Sequence, residues 1–341
     1  PSVLGLIWHA EVSGVWRVRG GMHRLAHAMA ALAGRLGAEI EYATPVARIE
    51  VQGGRVAAVV TEAGARLPVD HVVHAGDPKA LHAGLLGPAP QRAVPRTAVA
   101  PRSLSAHVLA FAAVPQGPEL AYHNVVFGDD PAREFRPLER GEMPQDPTIY
   151  ICAEDRGGGA PPPGTPERFE TIMNAPPTGA TPQSDEEIET CLTRTWSRLA
   201  RSGLTFSPRP DRAALTTQAG FHALFPGSDG SLYGRSPHGM RATFRRPTAR
   251  TALPGLVLAG GGAHPGAGIP MATLSGKHAA AAIASGRTST STSRPTATPG
   301  GMSTASPTTA NAPSPSSPSS APSSRPGTAG RGAGTRPTTA A

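Results

Sequence analysis

Cysteine is scarce: Cys152 and Cys191 are the only two in 341 residues, and neither belongs to a CxxC or Cys/His spacing. That scarcity argues against a disulfide framework and against a structural zinc, and leaves two buried free thiols as the expectation. Long apolar runs are also missing. Nothing approaches the roughly 20 residues that a membrane-spanning helix requires, and the first residues show no charged-then-apolar leader pattern. A cytoplasmic location follows by default. Acidic residues stop altogether at Asp229. This bears on the most informative stretch, Leu256–Ala272 (LVLAGGGAHPGAGIPMA), a short apolar strand, a glycine-packed turn and a small-residue helix. A complete dinucleotide fingerprint of that shape needs an acid about 20 residues on to hold a ribose hydroxyl. None exists here, so the stretch reads as a closing segment that returns to a ligand already held by earlier parts of a protein. Gly260, Gly261, Gly262, Gly266 and Gly268 would let backbone approach a flat ligand. The helix starting near Pro270 would aim free N–H groups and a positive dipole end at it. A tight strand-to-helix turn without a ligand is the other reading of the same residues.

The charge balance divides the chain. Lys and Arg number 32 against 24 Asp and Glu, a net charge of +8. Five of the arginines lie in residues 287–341, which apart from Met302 and Asn311 are otherwise Ser, Thr, Pro, Ala and Gly, so the first 286 residues carry only +3. A nucleic-acid-binding reading loses most of its support. Residues 287–341 cannot bury enough apolar surface to offset their ordering entropy and are expected to be a disordered tail. That tail is either a native linker or translation in a shifted frame. The chain opens at Pro1 without Met, inside what already reads as structured sequence, so a fragment of a longer protein is expected.

Patterning supplies the elements in between. Val15–Arg19 and Glu39–Tyr42 read as strands, and Met22–Leu36 as an amphipathic helix capped by Gly37. Val46–Val51 and Val56–Thr61 flank a Gly53-Gly54 hairpin turn, and Arg66–Val69 and His71–His74 follow as short strands. Asp77 before Pro78 suits the N-cap of a helix over Lys79–Leu86. Strands are expected over Ser105–Ala113, Thr148–Ala153 and Arg168–Asn174, with a helix over Asp185–Ser202 started by Ser184 or Asp185 and stopped by Gly203. A mixed sheet with helices on one face fits this middle region.

Three stretches, VWRVRGGMHRLAHAMAALAGRLGAEIEYATPVARIEVQGGRVAAVV (15–60), DHVVHAGDPKAL (70–81) and LPGLVLAGGGAHPGAGIPMATLSGKHAAAAI (253–283), resemble the phytoene desaturase-like branch of FAD-dependent amine oxidase-fold flavoproteins. The resemblance implies an α/β fold in pieces: a partial FAD-binding domain over 1–100, an α+β substrate domain over 101–245 and a C-terminal FAD-binding segment over 246–286. It further implies that backbone at Val46 lies beside the adenine, and that Gly260, Gly261, Gly262, Gly268, Ile269, Pro270 and Met271 face the flavin. The stretches YHNVVFGDDPAREF (122–135), DPTIYICAEDR (146–156) and FHALFPGSDGSLYGRSPHG (221–239) are similar to bacterial desaturases of 1-hydroxylated acyclic carotenoids. That similarity implies an apolar carotenoid substrate, peripheral contact at the inner membrane face, and desaturation by hydride transfer to flavin N5. The chain departs from the family in one respect: no strand–GxGxxG–helix unit occurs in it. The resemblance therefore implies an N-terminally truncated enzyme, and leaves open a different amine oxidase-like activity or a remnant without flavin.

No nucleophile–base constellation is evident. His264, inside the glycine loop, would either orient the flavin or cap backbone groups. Asp129-Asp130 and Glu154-Asp155 are paired acids able to shuttle a proton, but solvated loop positions are the expectation. His123, His222 and His238 read as ordinary polar loop residues without metal-ligand spacing, and Trp8, Trp16 and Trp196 as core.

Overall fold

The computed structural model describes residues 8, 12–239 and 242–289, all within a unit spanning residues 1–292. The expected tail, 287–341, lies outside the described residues beyond 289, and its first three residues are the end of the last helix instead. Helix α1, His23–Arg35, forms where the apolar spacing places it. It closes through Gly37 (φ 90°), with the Ala38 amide bonded back to the Ala33 carbonyl at 3.0 Å, as a left-handed C-cap requires. No residue of α1 is buried. The expected strands at 15–19 and 39–42 are extended or bent chain instead. A strand requires a ladder partner, and Val15 and Trp16 stand 84% and 87% exposed with no neighbouring strand among the described residues.

Strands β1 (Val46–Gln52), β2 (Arg55–Thr61) and β3 (Arg66–Pro68) form an antiparallel meander. Gly53 and Gly54 make its first turn at φ 58° and 74°, a pairing of two left-handed residues that suits the twist of a hairpin. Strand β4 (Val72–His74) then pairs in parallel with the much later β11 (Leu256–Leu258), Leu258 opposite His74. Around that junction Ile49, Val56, Leu81, Val94, Val99, Leu256 and Leu258 form one buried core. Helix α2 spans only Pro78–His82, because Gly84 at φ 76° turns the chain where the expected helix would have continued. Short helices α3 (Pro88–Gln91) and α4 (Arg96–Val99) follow.

The middle of the chain builds a sheet in the order β10 (Leu215–Thr216), β5 (Ser105–Gln116), β8 (Glu167–Ala175), β7 (Ile149–Ala153), β6 (His123–Val126). Strand β9 (Thr205–Ser207) pairs with the far end of β5. Every pair in this sheet is antiparallel, so the mixture expected here is confined to the parallel β4–β11 pair elsewhere. Helix α5 (Pro131–Glu139) precedes β7, α6 (Asp185–Arg201) follows β8, and α7 (Gln218–Leu224) follows β10. A reciprocal capping box starts α6: the Glu187 amide donates to Ser184 Oγ at 3.2 Å, and the Ser184 amide donates to Glu187 Oε2 at 2.7 Å.

Helix α6 covers one face of the sheet. Its Ile188, Cys191, Leu192 and Leu199 are buried with Leu109, Ile149, Ile151, Phe169 and Met173 from the strands. Trp196, as expected, joins this core, edge-on to Phe111. Side chains alternate across a pleated sheet, so the intervening residues point the other way. On that opposite face Ala110 and Ala112 are exposed and Val108, Tyr150, Glu170 and Ile172 are half-buried. Helix α8 (Ile269–Ser289) closes the unit, its Ala279 buried against Val257 and Ala259 of the β11 region. No helix among the described residues is long and apolar enough to cross a membrane.

Candidate functional site

The parallel pairing of β4 with β11 sets two turns side by side, the one after His74 and the one after Leu258. Asp77 caps α2, accepting from the Lys79 amide at 2.9 Å, and also pairs with Arg102 in a nearly buried ion pair. The glycines of the second turn differ in what they face. A Cβ on Gly260 would lie 2.7 Å from the Ala75 carbonyl oxygen, and one on Gly262 2.4 Å from Cδ of Pro78. These two glycines permit the turns to pack on each other. Gly261 has ordinary clearance, 3.6 Å from Ala267 Cα. Gly268 has φ 94° and no atom within 4 Å of its Cβ direction.

Gly268, Ile269 and Pro270 are exposed and Met271 is half-buried at the start of the 21-residue α8. The Ala272 amide is bonded to the Gly268 carbonyl at 2.8 Å. The amides before it begin a helix, where intrahelical partners do not exist, and Pro270 has no N–H to leave unmade. An open glycine followed by a positive helix end is a surface that a flat ring with carbonyl oxygens at its edge can approach. Ser275, fully buried, anchors the helix to the turn by accepting from the Gly260 amide at 2.8 Å. His264 holds the loop through its backbone, donating to the Pro247 carbonyl at 2.7 Å, and its ring stacks against His278 at 6.2 Å. Val46 stands at the start of β1, opposite Thr61, 40% exposed.

Arg246, a residue the sequence reading passed over, ties this loop to the middle of the chain. Its guanidinium donates to the carbonyls of Gly261 at 2.7 Å, Tyr233 at 2.9 Å and Arg235 at 3.0 Å. Burial, then the neighbouring Arg235, holds its pKa below the ordinary guanidinium value. The run FRRPTARTALPGL (244–256) carrying it resembles the desaturases too, but nothing in it marks this clamp, because the partners are carbonyls of Tyr233, Arg235 and Gly261 outside the run.

A second feature is a cleft of about 960 Å³ over the sheet face that α6 leaves uncovered. Trp16 and Met22 edge it and Ala110 lies on its floor, while Tyr122, His123, Tyr150, Cys152, Glu154 and Glu170 gather at one side. Trp16 and Trp8 are therefore not core residues; at 87% and 64% exposed they belong to a segment with no covering layer among the described residues. His123 is not in a loop but opens β6, and its Nδ1 is 2.6 Å from the Tyr150 hydroxyl. Tyr122 OH donates to Glu154 Oε2 at 3.4 Å, and Arg17 stacks 4.8 Å over the Tyr122 ring. Burial pushes the Tyr122 phenol up to about 12 and the Tyr150 phenol further still. Burial likewise raises Cys152, which rules it out as a ready thiolate. Glu170 is raised by burial and then by the charge of Glu154.

The remaining candidates have structural partners. Asp130 caps α5, Asp129 pairs with Arg198 at 2.7 Å, and Asp155 pairs with Arg168. His222 lies in α7, not in a loop, and its Nδ1 accepts from the Asp229 amide at 3.1 Å. His238 is exposed, its amide bonded to Ser236 Oγ at 3.2 Å. No group of three or more His, Cys, Asp or Glu among the described residues is placed to hold a metal.

Comparison with known proteins gives this geometry a family. The chain is 58% identical over 283 residues to a hydroxyneurosporene desaturase of Cereibacter sphaeroides, covering 83% of this chain and 57% of that protein. It is 52% identical over 289 residues to the hydroxyneurosporene desaturase of Rhodobacter capsulatus (85% and 58%) and 41% identical over 311 residues to that of Rubrivivax gelatinosus (91% and 59%). The chain thus spans under three fifths of the length of these relatives. The family model for flavin containing amine oxidoreductases matches residues 9–284, nearly all of the described part, and the chain belongs to that family.

Proposed function

We propose that this chain supplies the substrate cleft and the ring-facing segment of an FAD-dependent enzyme that desaturates an acyclic, hydroxylated carotenoid. The observation that carries the reading is the pairing of an uncovered, small-residue sheet face with 58% identity to a hydroxyneurosporene desaturase across the residues that build it. The residues at the start of α8 fit a flavin: Gly268 leaves open space where a side chain would stand, and the first turn presents unpartnered amides and a positive helix end. When bound, the flavin supplies the hydride acceptor, and the protein supplies position. Ala110 and Ala112 offer a flat floor on which an extended polyene can lie without side chains lifting it. Gly260 and Gly262 hold the loop against the turn at Ala75–Pro78, and Arg246 fixes its Gly261 carbonyl, so Gly268 is presented at a defined height.

A carotenoid partitions into lipid, so the reading includes a cytoplasmic protein in peripheral contact with the inner membrane face. Exposed Val15 and Trp16 beside the cleft suit such a contact. Size-exclusion chromatography of the chain with hydroxyneurosporene in detergent micelles tests the substrate reading. Pigment co-eluting with wild type and lost on Ala110→Trp, which fills the cleft, is the expected result. Pigment retained equally by both would contradict it.

A further inference from the structure

The uncovered sheet face is not uniform. Paired across β6, β7, β8 and β5, one row runs His123, Cys152, Glu170, Ala110, and the row beside it runs Val125, Tyr150, Ile172, Val108. Polar groups therefore collect on the β6–β7–β8 side, while Val108, Ala110 and Ala112 on β5 make a strip without a polar side-chain atom. The pairing of the two suits a long apolar molecule with a polar terminus.

The polar side offers a solvent-reaching acceptor that no protein donor among the described residues occupies. Glu170 is half-buried at the cleft, and among the described residues its carboxyl group has neither a hydrogen-bond partner nor an ion-pair partner. A carboxylate taken partly out of water without a donor is costly, and a ligand O–H would supply one. Close by, the Tyr150 hydroxyl is held by His123 at 2.6 Å. In the tautomer with hydrogen on His123 Nε2 the phenol donates to Nδ1 and keeps oxygen lone pairs free, and the His–Tyr contact fixes where they point. Together the groups present acceptors that water-exposed loops would not orient. Arg17 and Arg168 also line the cleft, but Arg17 lies over the Tyr122 ring and Arg168 pairs with Asp155, so the Glu170 carboxylate is the acceptor left for an alcohol to donate to.

We propose that Glu170 and the His123–Tyr150 pair form the subsite that holds the hydroxyl group of the carotenoid, with the polyene running from there across Ala110 and Val108. These are specificity-determining residues: they select the hydroxylated end and fix which way round the chain lies. The inference rests on the carotenoid reading above and adds to it the residues that discriminate.

The test is fluorescence quenching titration of the 341-residue chain in detergent micelles with hydroxyneurosporene and with neurosporene, its counterpart lacking the hydroxyl. Wild type is expected to bind hydroxyneurosporene roughly tenfold more tightly, the worth of one well-made hydrogen bond to a group otherwise left unpaired. Tyr150→Phe and Glu170→Leu are each expected to remove most of that preference while leaving neurosporene binding unchanged. Glu170→Gln, which keeps an acceptor, should retain much of it. Equal wild-type affinities for the two pigments overturn the subsite while leaving the carotenoid reading intact, and this comparison needs no variant to fold. Variants that weaken both pigments in parallel overturn it as well. Binding of neither pigment by wild type overturns the carotenoid reading and the subsite with it.

Discussion

Arg246 donates a 2.7 Å hydrogen bond from Nη1 to the carbonyl oxygen of Gly261, and the same guanidinium holds the carbonyls of Tyr233 and Arg235. One side chain thus joins the glycine loop to the 233–235 segment. The neighbourhood is rich in positive charge, with Arg102 and Arg235 nearby and Asp77 as the counter-ion of Arg102.

Arg246→Ala leaves three carbonyls without their donor. We expect a loss of about 2–4 kcal/mol, since hydrogen bonds to a charged group carry more than neutral ones. For a unit of this size that corresponds to a fall of roughly 5–10 °C in the thermal midpoint. Arg246→Lys, with one point charge in place of a fork, should recover only a minor part. A midpoint within a degree of wild type for the alanine variant would show that the clamp is not structural.

Gly260 and Gly268 should respond differently to substitution. Gly260→Ala drives a methyl against the Ala75 carbonyl at a position with φ 88°, and the unit should lose stability with or without cofactor. Gly268→Val meets open space, so its stability cost should be limited to the left-handed conformation, about 1–2 kcal/mol. Its effect should appear instead in flavin content. We would measure it in a chimaera in which residues 9–284 of this chain replace the matching stretch of the Cereibacter sphaeroides desaturase. A flavin-to-protein ratio unchanged by Gly268→Val would remove Gly268 from the site.

His107 makes the fold sensitive to acid. It is fully buried, with Nε2 2.8 Å from both Gln183 Oε1 and Gln218 Oε1 and Nδ1 3.5 Å from Cys191 Sγ. The neutral tautomer with hydrogen on Nε2 satisfies all three contacts, the thiol donating to Nδ1; burial holds that thiol protonated, its pKa pushed up to about 11. Burial lowers the His107 pKa from its ordinary 6.5, and His74 is lowered for the same reason. Below that value the unfolded chain binds protons that the folded chain refuses, so stability is full above about pH 6.5 and falls as the pH drops below it. Melting midpoints across pH 7.5 to 5 should decline, and His107→Gln should flatten the decline, although the substitution lowers the midpoint at neutral pH. An identical acid slope in the variant would assign the effect elsewhere.

The sequence made local signals legible and long-range ones much less so. The capping box at Ser184 and Glu187, the Gly53-Gly54 turn and the cap at Asp77 are written within a few residues, and each forms where expected. The strands at 15–19 and 39–42 had the right alternation but no ladder partner, which patterning within a segment cannot reveal. The strand–glycine–helix stretch at 256–272 is legible because its three parts are contiguous. The polar corner of the cleft is not. His123, Tyr150 and Glu170 come from three strands whose antiparallel register alone sets them on one face, whereas the sequence around His123 reads as a polar loop and that around Glu154 as a solvated one. Cys152 was correctly expected to be a buried thiol, yet its place among two tyrosines and two glutamates depends on the same register.

Turnover by the chimaera tests the central claim most directly. Purified with its flavin, it should convert hydroxyneurosporene to a product with one further conjugated double bond, seen as a shift of the extracted pigment to longer wavelength. Ala110→Trp in the same chimaera should abolish the shift without displacing the flavin. A folded, flavin-bearing chimaera that returns hydroxyneurosporene unchanged would contradict the account.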